Sequence, residues 1–91
     1  VVLNSGGANA CTGPDGFADT HRTAEHVAAL LGCSAGDVVV CSTGLIGERL
    51  PMDRLTGGVD AATAALTAEG GPDAAVAIMT TDSVPKTVVV E

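Results

Sequence analysis

The stretch DVVVCSTGLIGERLPM, residues 37–52, decides the fold class of this 91-residue sequence. Its first part, Asp37–Ser42, is a continuous apolar and β-branched run, which predicts a strand buried on both faces. The polar and glycine-rich segment Thr43–Glu48 then breaks the run. Pro51 suits the first turn of a helix, where its missing N–H would have no intrahelical partner. A strand, a polar loop and a helix in succession indicate an α/β or layered α+β domain.

The alternation of strands and helices continues on both sides of this stretch. Apolar residues recur three and four positions apart through Phe17–Leu31 and Met52–Leu66, as on the buried face of a helix, and Gly32 provides a stop. The predicted elements are a strand at Val1–Asn4, a helix from Asp15 or Gly16 to Leu31, a strand at Asp37–Ser42, a helix from Pro51 to a stop at Gly70, a short helix at Pro72–Met79 and a strand at Thr87–Val90.

Composition excludes several classes of protein. Four Lys and Arg residues against 11 Asp and Glu give a net charge of −7. Because the few cations are scattered, neither a nucleic acid nor an anionic membrane surface is an expected partner. No apolar run is long enough to span a bilayer. A hydrophobic content of 46% with only 16% charged residues is too apolar for a disordered chain.

The residues available for a core are small. The sequence has one Phe, no Tyr, no Trp and 12 Gly, and small side chains contribute little hydrophobic stabilisation. The sequence also opens and closes on apparent strands. We therefore expect residues 1–91 to be an interior segment of a longer chain, without a second domain, and to be poorly folded and inactive alone.

The cysteines and histidines do not predict a metal site or a disulfide framework. Cys11, Cys33 and Cys41 are odd in number and form no CxxC, which is typical of reduced thiols in a cytosol. Cys11 is either a reactive thiol or, as we favour, a small buried residue. His21 and His26 lie five positions apart on one helix and therefore face different directions, so no metal is expected.

Three polar stretches carry the candidate chemistry, at residues 4–13, 41–48 and 80–82. The first either cradles a phosphate or forms an ordinary turn, and it matches neither the P-loop nor the dinucleotide fingerprint. In the second, Ser42 and Thr43 suit a turn or a helix cap as well as a site. No nucleophile–base pair is evident. The residues alone therefore indicate a substrate or oxyanion loop without a complete catalytic apparatus.

Taken together and in order, these stretches resemble the bifunctional ornithine acetyltransferase / N-acetylglutamate synthase (glutamate N-acetyltransferase) family of arginine biosynthesis. NSGGANACTG at 4–13 resembles the family's N-S-G-x-A-N-A-C-T-G. STGLIGERLPM at 42–52 resembles S-T-G-x-I-G-x-x-L-P-M. AIMTTDSVPK at 77–86 resembles A-I-M-T-T-D-x-x-P-K. The three motifs cover the chain nearly from end to end.

The resemblance implies a layered αββα fold of the N-terminal-nucleophile kind (DmpA/ornithine acetyltransferase-like), with this chain inside the α chain. It implies a cytoplasmic precursor that cleaves itself before a Thr, giving a β chain that carries this Thr as nucleophile and a heterotetramer of two α and two β chains. It further implies acetyl transfer from N-acetylornithine to glutamate through an acetyl-enzyme on that Thr, which lies outside residues 1–91. No cofactor is implied, and whether acetyl-CoA also donates acetyl stays open.

The resemblance also assigns roles to residues of this chain. Thr43 and Gly44 would form an oxyanion hole, through the Thr hydroxyl and the Gly N–H. Such fixed donors are worth roughly 3–4 kcal/mol to a transition state. The other implied roles are substrate contact for Thr80 and Thr81 and support of the site loop for Asn4 and Asn9.

Two alternatives to an acetyltransferase follow from the same residues. One is a non-catalytic structural or interaction domain that keeps the fold without the chemistry. The other is a hydrolase of the same fold, such as an aminopeptidase relative. Detection of acetyl transfer to glutamate, as against simple hydrolysis or no reaction, separates the three.

Overall fold

The computed structural model describes all of residues 1–91 and confirms the α/β fold class. Strands and helices alternate along the first two thirds of the chain, and a third helix follows. The elements are β1 (Val2–Gly7), α1 (Gly13–Leu31), a 3-10 turn (Ala35–Asp37), β2 (Val40–Leu45), α2 (Met52–Ala64) and α3 (Gly71–Ala77).

β1 and β2 form a two-stranded parallel sheet. The register pairs Val2 with Val40 and continues to Gly6 opposite Gly44. Parallel strands need a long crossover connection, which α1 supplies. Because parallel strands end at the same edge, the polar segments that follow β1 and β2 emerge side by side.

α1 forms where the sequence predicts a helix, although it begins at Gly13 rather than at Asp15 or Gly16, and it carries three of the seven buried apolar residues. Pro14 lies in its first turn, and Gly32 ends it in the left-handed conformation (φ 70°), with its N–H bonded to the Ala28 carbonyl. One face of α1 packs towards α2. The buried apolar residues of the chain are Ala8, Ala24, Val27, Ala28, Leu50, Met52 and Val59.

The predicted strand at Asp37–Ser42 is wrong in both bounds and in its burial, because β2 spans Val40–Leu45 and so includes Thr43 and Gly44, which were expected in the loop. Ala35–Asp37 forms a 3-10 turn, in which the Ser34 hydroxyl accepts a hydrogen bond from the Gly36 N–H, and β2 begins only at Val40. No residue of β2 is buried. The Val-rich run predicts burial on both faces, but here β2 has a single neighbouring strand and no layer that covers it completely.

The predicted strand at Thr87–Val90 is also wrong. Residues 85–91 have no regular secondary structure, and Val88 to Val90 are exposed. β-branched residues fit a strand only where another strand and a packed face are available, and no strand pairs with them.

The second and third helices differ from the prediction in their bounds. The second helix ends at Ala64 and not at Gly70, and the third spans Gly71–Ala77 and not Pro72–Met79.

Much apolar surface remains open. The accessible area is 6299 Å², whereas a compact protein of this mass exposes about 4,800 Å². Only ten of 91 residues are buried. β1, α1 and α2 border a largely apolar groove of about 580 Å³.

None of the three helices is both long and apolar enough to cross a membrane.

We predict that residues 1–91 alone show no cooperative thermal unfolding. The buried core is too small to offset the conformational entropy of folding. Calorimetry and far-ultraviolet circular dichroism of the 91-residue chain test this. A sharp heat-absorption peak with a matching spectroscopic transition would contradict it.

Candidate functional site

Backbone hydrogen bonds bring the first two polar stretches together at the carboxyl edge of the sheet. The Ala8 N–H donates to the Leu45 carbonyl at 2.8 Å, and the Gly47 N–H donates to the Ala10 carbonyl at 2.9 Å. The Asn9 N–H donates to the Ser42 hydroxyl at 2.7 Å. These bonds link residues more than thirty positions apart into one surface.

Thr43 and Gly44 lie exposed near the end of β2, opposite Ser5 and Gly6. Gly44 has a φ of 131°, and a Cβ built on it would lie 2.5 Å from the Gly6 carbonyl carbon. Only glycine permits this backbone conformation and this close approach together. The arrangement presents an exposed hydroxyl beside an accessible stretch of backbone.

The Asn9 side chain joins the first polar stretch to α1. Its Nδ2 donates to the Gly16 carbonyl at 2.7 Å and to the Thr20 hydroxyl at 2.8 Å, while its Oδ1 accepts from the Thr12 hydroxyl. Asn4 acts more locally, since its Nδ2 donates to the Gly7 carbonyl at 3.0 Å. Both amides are therefore bonded within the chain, and their role as loop supports stays a prediction.

The third polar stretch follows α3 and is exposed. Thr80 donates its N–H to an Asp82 carboxylate oxygen at 3.2 Å, and Lys86 forms an ion pair with the same carboxylate. Thr81 is exposed as well. The end of α3, just before this stretch, meets the sheet through Ser5, whose hydroxyl donates to the Ala77 carbonyl at 2.6 Å. The structure therefore connects the third stretch to the strand pair that carries Thr43 and Gly44.

An ion pair that the sequence does not predict holds the loop after β2 against α1. Arg49 donates through Nε and Nη2 to the two carboxylate oxygens of Asp19, each at 2.9 Å, and lies 3.6 Å from Asp15. Asp19 is only 2% exposed. The Arg49 hydrogen bonds hold the pKa of the Asp19 carboxyl below its usual value, against the opposing effect of burial. No local pattern signals a pair thirty residues apart, although two acidic residues four positions apart on α1 mark the helix face that carries the negative charge.

The remaining histidines and cysteines do not assemble a reactive centre. His26 bonds to Asp60 at 2.7 Å on the exposed side of α1 and α2, and no group of three His, Cys, Asp or Glu residues is placed to hold a metal. All three cysteines are free and exposed. The favoured interpretation of Cys11 as a buried residue is wrong, because its left-handed backbone (φ 57°) lies in an exposed turn.

The chain is similar in sequence to proteins of one family. A model of the ArgJ family matches residues 1–91. The arginine biosynthesis bifunctional protein ArgJ of Streptomyces coelicolor is 67% identical over 90 residues, which cover 99% of this chain and 24% of that protein. The chain thus spans about a quarter of the length of the curated relatives that it matches end to end.

Two solved structures share the fold. A crystal structure of ornithine acetyltransferase complexed with ornithine, from Mycobacterium tuberculosis, superposes with a TM-score of 0.89 at 61% identity, over 91% of this chain and 47% of that one. The arginine biosynthesis bifunctional protein ArgJ of Bacillus halodurans gives a TM-score of 0.79 at 41% identity, over 90% of this chain and 43% of that one.

We predict that Gly44→Ala in the complete protein lowers the free energy of unfolding by about 1–3 kcal/mol. The new Cβ would overlap the backbone of Gly6 and Gly7. The matched control is Gly57→Ala, which meets nothing within 4 Å and should raise stability by up to about 1 kcal/mol, as expected inside a helix. Denaturant unfolding checks both, and equal effects of the two substitutions would refute the close-approach argument.

We also predict that the stability lost in Arg49→Met depends on pH. Because Arg49 lowers the pKa of Asp19 in the folded state, the pair stabilises the protein fully above the unfolded Asp pKa of about 3.9. That stabilisation is lost as the pH falls through the lowered folded pKa. The stability gap between wild type and Arg49→Met should therefore be widest near neutral pH and narrow below about pH 4.

Asp60→Asn is the control for Arg49→Met. It removes the exposed His26–Asp60 pair, and such surface pairs contribute about 0–1 kcal/mol. Denaturant unfolding between pH 3 and pH 7 measures both variants. A gap for Arg49→Met that is the same at every pH would count against the ion-pair argument.

Proposed function

We propose, because this chain belongs to the ArgJ family, that it is part of an acetyltransferase of arginine biosynthesis that moves an acetyl group from N-acetylornithine to glutamate. The observation that carries this proposal is the exposed Thr43–Gly44 pair at the sheet edge, with the Gly44 backbone pressed against Gly6. The ornithine complex of the Mycobacterium tuberculosis relative supports an amino-acid substrate.

Thr43 and Gly44 act in this proposal as the oxyanion hole. A nucleophilic Thr hydroxyl, supplied from outside residues 1–91, attacks the acetyl carbonyl carbon, and negative charge develops on the carbonyl oxygen. The Thr43 hydroxyl and the Gly44 N–H donate hydrogen bonds to that oxygen. Donors that are already fixed stabilise the transition state without having to reorganise. The rigidity that β pairing gives to this stretch therefore favours the role.

The acetyl group then passes through a covalent intermediate. The tetrahedral intermediate collapses, the bond between the acetyl carbon and the ornithine nitrogen breaks, and the proton that the Thr hydroxyl loses passes to that nitrogen, so that ornithine leaves as the free amine. The amine of glutamate next attacks the acetyl ester, the bond between the acetyl carbon and the Thr oxygen breaks, and a proton of that amine restores the Thr hydroxyl as N-acetylglutamate forms. The same oxyanion hole serves both steps. No cofactor is needed, because substrates and protein supply every reacting group, and acetyl-CoA would enter only as an alternative acetyl donor.

The third polar stretch provides the amino-acid contact in this proposal. Thr80 and Thr81 are exposed beyond α3, where hydroxyl groups can hydrogen-bond a substrate carboxylate or amine. Asn9 supports the loop by bonding to α1, and Asn4 supports the end of β1. These roles divide the site into fixed donors on the sheet and a substrate-contacting segment beside them.

A second chain completes the proposed enzyme. This chain covers 47% of the solved Mycobacterium tuberculosis chain but 24% of the Streptomyces coelicolor protein, so the crystallised chain is about half as long as that curated relative. This ratio supports a precursor that divides into an α chain and a β chain, which carries the nucleophile. We propose that the rest of the enzyme covers the apolar groove bordered by β1, α1 and α2, that the chains assemble as two α and two β, and that the enzyme works in the cytoplasm.

We predict that Thr43→Ala in the complete enzyme lowers kcat for acetyl transfer by roughly 10²-fold. The substitution removes a donor that acts on the developing charge, so KM for N-acetylornithine should change little. Steady-state kinetics with N-acetylornithine and glutamate measure both constants. Thr87→Ala, at an exposed residue in the irregular C-terminal segment, is the matched control and should leave kcat unchanged.

The same assay separates the proposal from its alternatives. Release of free acetate without N-acetylglutamate would identify a hydrolase of the same fold. Absence of both products in the complete enzyme would favour a non-catalytic domain. A Thr43→Ala enzyme with wild-type kcat would remove Thr43 from the oxyanion hole while leaving the acetyltransferase assignment in place.

A further inference from the structure

A single hydrogen bond joins the last quarter of the chain to the rest of it. The Ser5 hydroxyl donates to the Ala77 carbonyl at 2.6 Å. Every other hydrogen bond made by residues 67–91 stays within that segment. None of residues 67–91 is buried. Within this chain, Ser5 therefore provides the only polar restraint on where the segment lies against the sheet.

The bond occurs where the helix needs a partner. The last carbonyls of a helix have no intrahelical donors. At the end of α3, the Ile78 and Met79 N–H groups bond to the carbonyls of Ala74 and Val76, which leaves the Ala77 carbonyl for Ser5. The Ser5 hydroxyl thus satisfies a group that the helix cannot satisfy itself.

Ser5 also links the two parts of the proposed site. It is opposite Thr43 in the parallel register. Ala77, which accepts its hydrogen bond, is three residues before Thr80. A short path through Ser5 therefore connects the strand that carries the oxyanion donors to the segment that carries the substrate-contacting hydroxyls.

We propose that Ser5 is a positioning residue that sets the place of Thr80 relative to Thr43 and Gly44. This inference rests on the proposed function. Ser5 acts on substrate binding through the end of α3 and need not touch the substrate. Loss of its hydroxyl frees the segment that carries Thr80 but leaves the strand pairing of Thr43 and Gly44 intact.

The test is a comparison of Ser5→Ala, Ser5→Thr and Ser83→Ala in the complete enzyme. Ser5→Ala should raise KM for N-acetylornithine, and the dissociation constant of ornithine measured by calorimetry, several-fold to about tenfold. Its kcat should change less than threefold. Ser5→Thr keeps the hydroxyl and should restore both constants. Ser83→Ala, in the same exposed segment but without a hydrogen bond, should match wild type.

A double variant shows whether Ser5 acts through Thr80. Thr80→Val should itself raise KM. Adding Ser5→Ala to Thr80→Val should have little further effect on KM, because both substitutions act on the contact between Thr80 and the substrate. If the fold-changes in KM of the two single variants multiply in the double variant, Ser5 acts on the substrate independently of Thr80, and the proposal is overturned. A Ser5→Ala enzyme with unchanged KM and ornithine binding, or with only a lower melting temperature, would also overturn it.

Failure of the inference is distinguishable from failure of the proposed function. If Thr80→Val leaves KM and ornithine binding unchanged, the substrate role of Thr80 falls and the inference falls with it. If Thr80→Val weakens binding and Ser5→Ala does not, only the inference fails. Should Ser5→Ala not fold, Ser5→Cys, a similar side chain with a weak donor, is measured in its place against the same expected loss of binding.

Discussion

The parallel pairing of β1 with β2, closed at its carboxyl end by Gly6 against Gly44, is the constraint on which the rest of the structure depends. Gly44 has no room for a side chain, so the two backbones approach more closely there than other residues would allow. This approach places the polar stretches that follow the two strands on one surface. Thr43 and Gly44, which have the character of ordinary turn residues in the sequence, thereby lie beside the loop that follows β1.

The first two turns of α1 bind both the loop after β1 and the loop after β2. Asn9 ties the loop after β1 to Gly16 and Thr20, and Arg49 ties the loop after β2 to Asp19. The second attachment is the stronger one, because a buried carboxylate that loses its cation is costly. The donors proposed for the oxyanion hole are thus held from the strand side and from the helix side.

The substrate-contacting stretch is attached differently. It is exposed along its whole length, and the only hydrogen bond to the sheet is the one that Ser5 donates to the end of the preceding α3. Segments with few buried contacts open at low free-energy cost. The proposed site therefore combines rigid donors for the reacting carbonyl with a more adaptable segment for the amino-acid part of the substrate, and the apolar groove leaves room for the rest of the enzyme to restrain it.

The sequence by itself determined the α/β class, the course of α1 and the three motifs that identify the family, because helix periodicity, the Gly32 stop and motif spelling are local properties. Only the tertiary structure decided what depends on distant neighbours. Val88 to Val90 have strand propensity but pair with no other strand. The Asp19–Arg49 and Ser5–Ala77 contacts join residues 30 and 72 positions apart, and no local pattern encodes such distances. Loop ends, the Asp19–Arg49 ion pair and the hydrogen bond that links the sheet to the third motif therefore come from the folded chain.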